Sequence, residues 1–345
     1  MVGIVSHGSY IPRYRIKTEE IARIYGKNSD SIKKELLIDE KSVPGIDEDS
    51  VTMGYEASIN AIKRSSIDKT RIGAIYCGSE SPVYAVKPNA SIIGEALGIG
   101  KDYTSADIEF ACKAGTAGMQ MAFGLSKSGL IEYGLAIGSD TSQSRPGDIL
   151  EYTAASGAAA VLIGNKKEEV IAELEGMHSI SSDTSDFWRR NTQKYPSHAE
   201  RFTGAPAYFK HVVECTKALM AKTKVKADDI DRVVLHTPNG KFPLRVGEIL
   251  GFSKEKLQDN LIVSKVGNTY SAASMLVLSS VLDNARPNER ILMTSFGSGS
   301  GSDSFLFKVT GNIKKLNQAR ETKSYVDDKK YVDYATYCKI TGALQ

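Results

Sequence analysis

The chain has 345 residues, 41% of them hydrophobic and 25% charged, a globular composition long enough for one large domain or two fused ones. Its formal net charge is only +3 and its basic residues are spread along the chain, which disfavours nucleic acid as the main partner. The four cysteines, Cys77, Cys112, Cys215 and Cys338, form no CxxC pair, which argues against a zinc site or disulfide scaffold and for a reducing compartment.

Residues 2–6 read as an opening strand, not as the apolar stretch of a signal peptide, and no segment has the length of a membrane span. The expected location is therefore cytoplasmic. Further strands are expected at 72–78, 135–139, 158–163, 170–175, 233–236, 290–294 and 305–309, with helices at 51–63, 205–222 and 272–282. This alternation predicts an α/β architecture with helices covering the sheets. Residues 311–345 change character: they are rich in Lys, Asp and Tyr without a period, and read as a surface tail clasping the domain or as a docking arm.

The chemistry concentrates at strand ends. Cys112 lies where an apolar run meets a helix of very small residues, Ala114-Gly115-Thr116-Ala117-Gly118. A helix start offers unpaired N–H groups that favour a thiolate, and small neighbours leave room for a substrate, so Cys112 is the candidate nucleophile. Cys77 and Cys215 read as packed thiols. Glu80 follows the strand at 72–78 and reads either as a solvated loop carboxylate or, if partly buried, as a base for a poorly acidic C–H. His236 closes the strand at 233–236, where α/β sites gather, and serves equally as a structural group or a proton carrier. Asn268 either caps the following helix or holds a ligand carbonyl. Glu80 and Cys112 are 32 residues apart, as are His236 and Asn268, which predicts two halves of like topology, 1–165 and 166–310. The run Phe296-Gly297-Ser298-Gly299-Ser300-Gly301-Ser302 precedes a strand and is no nucleotide fingerprint; it is an oxyanion-binding loop or a flexible turn.

Together, Ser79-Glu80-Ser81, Glu109 to Thr116, Arg201-Phe202-Thr203-Gly204, His236 to Lys241 and Gly267 to Ser271 resemble the thiolase-like condensing enzymes, and within them the archaeal-type 3-hydroxy-3-methylglutaryl-CoA synthases. The resemblance covers nearly the whole chain. It implies a five-layer α-β-α-β-α fold of two duplicated halves and a synthase of the mevalonate route to isoprenoids, condensing acetyl-CoA with acetoacetyl-CoA and water. By the same resemblance Cys112 carries the acetyl group, Glu80 removes its methyl proton and His236 protonates the ketone oxygen. Backbone N–H groups of Cys112 and Gly299 form the oxyanion hole. Thr153, Thr203, Arg245, Asn268 and Ser298 contact the acyl groups, while Arg201 and Lys241 contact coenzyme A. Where many relatives carry an acidic residue and a proline, this chain has Asn28-Ser29, and a ligand role at Asn28 is carried over from that position. No metal and no cofactor beyond the CoA thioesters is implied. The implied partners are a second copy of the chain, an acetoacetyl-CoA thiolase and a small zinc-ribbon/OB-fold companion. The alternatives are a β-ketoacyl-acyl-carrier-protein synthase of the initiating type, which would leave Glu80 incidental, and a catalytically silent scaffold subunit. A degradative thiolase is disfavoured because Gly297 to Gly301 contains no second cysteine.

Overall fold

The computed structural model describes residues 1–141 and 143–343. The first part of the chain supplies strands β1 (Gly3–Tyr10), β2 (Tyr14–Lys17), β3 (Glu40–Val43), β4 (Ile72–Gly78), β5 (Thr104–Ile108), β6 (Tyr133–Asp140) and β7 (Gly157–Gly164). Its helices are α1 (Thr18–Ile24), α2 (Ser29–Leu36), α3 (Ser50–Arg64), α4 (Asn89–Leu97) and α5 (Ala114–Ser128). Next come β8 (Ala172–Ser181), the short hairpin β9 (Phe187–Trp188) and β10 (Ser197–His198), β11 (Arg232–Leu235), β12 (Arg290–Gly297) and β13 (Gly301–Val309). The helices there are α6 (Phe209–Thr223), α7 (Lys241–Leu250), α8 (Val263–Val266) and α9 (Ala273–Asn284). The chain closes with α10 (Thr322–Asp327), β14 (Lys330–Tyr331) and α11 (Tyr334–Ile340).

Nine strands form one hydrogen-bonded sheet in the order β11-β12-β13-β8-β1-β7-β6-β4-β5. From β4 through β6 and β7 to β1 the pairings run parallel, antiparallel, antiparallel. From β11 through β12 and β13 to β8 they run in the same sequence. The two sets join where Gly3 and Ile4 of β1 pair with Glu173 and Ala172 of β8. Helices α5 and α9 lie between the sets: α5 packs on β4, β6 and β7, and α9 on β1, β7, β11 and β12. On the outer faces, α3 and α4 cover the first set and α6 the second, giving helix, sheet, helix, sheet and helix layers. One apolar cluster fills the middle, joining Phe123 of α5 and Leu278 of α9 to Phe305 and Phe307 of β13, and two more sit under the outer helices.

The expected helix at 205–222 begins only at Phe209, because Pro206 forces Ala205 into extended backbone (φ −126°, ψ 118°) and the turn Thr203–Tyr208 is irregular. The tail is the clasp, not a free arm: β14 adds to β2 in a small sheet β14-β2-β3, and Tyr325, Tyr337 and Cys338 are buried. Among the described residues no helix is long and apolar enough to cross a membrane.

Small residues in the central layer let the backbones meet. A Cβ on Gly138 of β6 would lie 2.4 Å from the Ser271 carbonyl oxygen and 3.0 Å from Ala272 Cα. Because the obstacle is backbone, Gly138→Ala is expected to destabilise by about 1–3 kcal/mol, read as a lowered Tm. Gly124→Ala, on α5 with open space around the new Cβ, is the control and should leave Tm unchanged or raised.

Candidate active site

Parallel strands β4 and β6 end side by side, Gly78 opposite Gly138, and both deliver a carboxylate. Asp140 closes β6 and is fully buried. Its Oδ1 accepts from Ser79 Oγ (2.9 Å), the Glu80 N–H (2.7 Å), the Ser81 N–H (2.9 Å) and Ser81 Oγ (2.7 Å). Its Oδ2 accepts the Ser271 N–H at 2.9 Å, so one carboxylate ties the turn after β4 to the chain entering α9. Burial pushes the Asp140 carboxyl up, while donors from Ser271, Ser81 and Ser79 hold it down.

The turn so fixed presents Glu80 to Cys112. Cys112 is 5% exposed, in a 3-10 turn (Ala111–Lys113) that runs directly into α5. The turn opens with Ala111 at φ 45°, a left-handed conformation costing on the order of 1 kcal/mol in a non-glycine residue. From there Cys112 Sγ donates to Glu80 Oε1 at 2.8 Å. Ala154, Tyr270 and Phe187 supply the apolar surface around the sulfur. Burial and the Asp140 charge push Glu80 up to about 8. Burial first, then Glu80, hold the Cys112 thiol well above the ordinary range. The thiolate expected from the helix start is therefore not the resting form. The neighbouring Lys113 does not reverse this, because Asp303 takes its ammonium at 2.9 and 3.0 Å.

His236 follows β11, its N–H bonded to the Thr294 carbonyl (2.9 Å) and its carbonyl to Tyr208 Oη (2.7 Å). The ring lies 6.2 Å from that of Phe296 and 6.4 Å from that of Tyr208. Burial lowers its pKa to about 3, so the imidazole is neutral. Asn268 and Thr153 are joined by backbone bonds, Asn268 N–H to Thr153 O at 2.7 Å and Ala155 N–H to Asn268 O at 2.9 Å. Asn268 Oδ1 accepts the Tyr270 N–H at 3.0 Å, a local turn one residue ahead of the cap position, which is Thr269. Tyr270, at φ 52°, opens a 3-10 turn into α9 as Ala111 opens the one into α5. Cys112 thus matches Ser271, and the equal 32-residue offsets are not a structural equivalence, because Asn268 lies three residues earlier.

The remaining candidates sit further out. Gly299 is corrected as an oxyanion donor: its N–H is engaged by Asp186 Oδ1 at 2.5 Å. Thr203 Oγ1 donates to the Asp186 carbonyl at 3.0 Å, and Ser298 lies beside Gly299 in the turn between β12 and β13. Arg201 and Lys241 are exposed, and Arg245 stacks 5.0 Å from the Phe209 ring centroid. Asn28 caps α2, its Oδ1 accepting the Ser31 N–H at 2.8 Å. Three residues escaped the sequence reading. Asp140 carried the same signal as Glu80, a carboxylate ending an apolar strand. Asp186, and Arg189, which donates to the Glu80 carbonyl at 3.1 Å, lie on an irregular excursion without one. Among the described residues no group of His, Cys, Asp and Glu could hold a metal ion.

The architecture is shared with solved proteins. A crystal structure of HMG-CoA synthase complexed with CoA aligns over 99% of this chain and 90% of its own, with TM-score 0.86 at 23% identity. Residues 220–309 match the family described as 3-oxoacyl-[acyl-carrier-protein] synthase III C terminal. Fold and site together define a condensing enzyme of the thiolase-like class. The chain is 56% identical over 341 residues to hydroxymethylglutaryl-CoA synthase of Archaeoglobus fulgidus, covering 98% of each chain. It is also 56% identical to that of Methanocaldococcus jannaschii, over the whole of both chains. It belongs to the hydroxymethylglutaryl-CoA synthase family.

Because the Glu80 charge and its hydrogen bond both raise the Cys112 pKa, Glu80→Gln should lower it and increase the thiolate fraction at pH 8. Iodoacetamide should then label Cys112 faster in the variant, as read by mass spectrometry. Equal or slower labelling would show that the carboxylate does not hold the proton on sulfur.

Proposed function

We propose that Cys112, Glu80 and His236 carry out the condensation of acetyl-CoA with acetoacetyl-CoA and water to HMG-CoA and CoA. Cys112 Sγ attacks the acetyl carbonyl, and the thiol proton leaves with the departing CoA as its free thiol. The Glu80 carboxylate then takes a proton from the methyl group of the acetyl-cysteine thioester. The resulting enolate carbon bonds to the ketone carbon of acetoacetyl-CoA, whose oxygen is held by the neutral His236 imidazole and takes its proton through that ring, which is restored by the proton Glu80 removed from the methyl group. Water cleaves the thioester and returns the thiol. The observation that carries this assignment is the Sγ to Oε1 hydrogen bond of 2.8 Å to a carboxyl poised near neutral pH.

Asn268 Oδ1 is committed to Tyr270, so the side-chain donor left for the second substrate is its Nδ2. Thr153 beside it, with Thr203, Arg245, Ser298 and Asn28, is assigned to the acyl end by the family resemblance. Arg201 and Lys241 supply exposed charge for the CoA phosphates. The oxyanion hole is assigned to the Cys112 N–H at the start of α5. The reaction needs no group beyond its CoA thioesters. The halves 1–165 and 166–310 are proposed as duplicates on the repeated pairing sequence of their strands. Four unpaired cysteines favour a reducing cytoplasmic location.

Partners follow from the surface and the resemblance. Strand β5 is an edge of the large sheet, and Val83, Tyr84 and Val86, in the chain between β4 and α4, are exposed. An uncovered edge near apolar side chains favours a homodimer. Association with an acetoacetyl-CoA thiolase and a zinc-ribbon/OB-fold companion rests on the resemblance and is tested by co-purification of the three chains.

Glu80→Ala should leave acetylation of Cys112 by acetyl-CoA largely intact while condensation falls by about 10² to 10⁴. Cys112→Ala should abolish both, with acetylation read by mass and condensation by CoA release. Normal condensation by Glu80→Ala would remove Glu80 as the base, and no acetylation of the wild-type chain would favour a scaffold. For the dimer, light scattering should give twice the 37.4 kDa chain mass, and Tyr84→Glu/Val86→Glu should give the monomer.

A further inference from the structure

We infer that the C-terminal segment is a positioning element for the pocket, bracing Thr153 and Asn268 from behind through Lys41 and Glu151. The bracing rests on the assignment of Thr153 and Asn268 to the second substrate. Four tail side chains, of which Tyr337 is buried, Lys329 and Tyr334 half-buried and Tyr331 exposed, each find a charged partner. Lys329 Nζ and Tyr331 Oη donate to Glu40 Oε1 (2.6 Å) and Oε2 (2.7 Å). Lys41 Nζ donates to Tyr337 Oη at 3.1 Å and stands 4.7 Å from that ring's centroid. Tyr334 Oη donates to Glu151 Oε1 at 2.9 Å. Glu40, Lys41 and Glu151 are all buried.

These partners belong to the elements that hold the pocket. Glu40 and Lys41 open β3, and the next residue, Ser42, bonds through Oγ to the Ser156 carbonyl and to the Val266 carbonyl at 3.1 Å. Gly267 is pressed between them: a Cβ there would lie 2.8 Å from Lys41 Cβ and 2.8 Å from the Thr153 carbonyl oxygen. Glu151 lies in the turn whose Leu150 carbonyl receives the Thr153 N–H at 3.0 Å. The path from α11 to the Thr153–Asn268 pair is therefore two side chains long on either route.

A clasp needs no buried ions, since apolar side chains dock a helix at no desolvation cost. Buried charges that find partners only in one arrangement fix the register of what they hold, and here that is the back of the pocket. Burial lowers Lys41 to about 7, with Glu151 and Cys338 opposing the shift.

The test uses the full chain with Tyr337→Phe, Tyr334→Phe, Lys41→Met and the double variant Lys41→Met/Tyr337→Phe. Measured are the Cys112 acetylation rate with acetyl-CoA alone, kcat, KM for acetoacetyl-CoA, and Tm. Tyr337→Phe should raise that KM about tenfold, the worth of one hydrogen bond to a charged group, with acetylation within about twofold. The double variant should be no worse than the weaker single one, because both remove the same bond. An unchanged KM, or acetylation and condensation falling together with Tm, would leave the tail a clasp only and overturn the inference. Tyr337→Phe, which removes one oxygen, keeps the test decisive if Lys41→Met fails to fold. A wild-type chain that forms no HMG-CoA would instead remove the functional assignment itself.

Discussion

Everything in this site depends on where one buried carboxylate can find its donors. Asp140 is out of water and would be costly unless its oxygens were filled, and they are filled by the turn after β4 and by the backbone entering α9. Satisfying Asp140 therefore fixes the Glu80 backbone and its position against the entry to α9 in a single event. The close approach of Gly138 to Ser271 is the steric counterpart of that bond. A bulkier central layer would pull the donors away from the carboxylate.

The electrostatics of the pocket are restrained. Burial keeps the thiol protonated, the histidine neutral and the glutamate near the point of ionisation. The nearest cation to the sulfur in the sequence, Lys113, is neutralised by Asp303, which also accepts from Thr116 Oγ1 at 2.9 Å. The lysine beside Cys112 therefore adds no free positive charge at the sulfur, and in such dry surroundings each hydrogen bond counts for more.

Much of this was legible before any coordinates. Strands β4, β6, β7, β12 and β13 are buried, and their apolar runs announce themselves. Glu80, Cys112 and His236 stand out as candidates in the sequence because each sits at a strand or helix end. What was hidden has physical reasons. Strand β3 reads Glu-Lys-Ser-Val, a surface composition, and is buried only because the tail brings partners to its charges. The tail has no period because single side chains, not a face, anchor it. Burial first, and then the charges of Glu80, Asp140 and Asp186, push the thiol pKa up, a convergence that no local window contains. The Gly299 N–H was claimed by Asp186 across 113 residues of chain.

The small sheet β14-β2-β3 joins residue 14 to residue 330. A chain emerging from the ribosome builds Cys112, Glu80 and His236 long before it can pair β14 with β2. Domains form in the order they are made, at about 5–20 residues per second, so a polypeptide made only as far as residue 329 holds Glu80, Cys112 and His236 yet lacks β14. The thiol is thus made well before its surroundings are joined up: a product truncated before residue 330 would carry Cys112 without the strand that ties late chain to early chain.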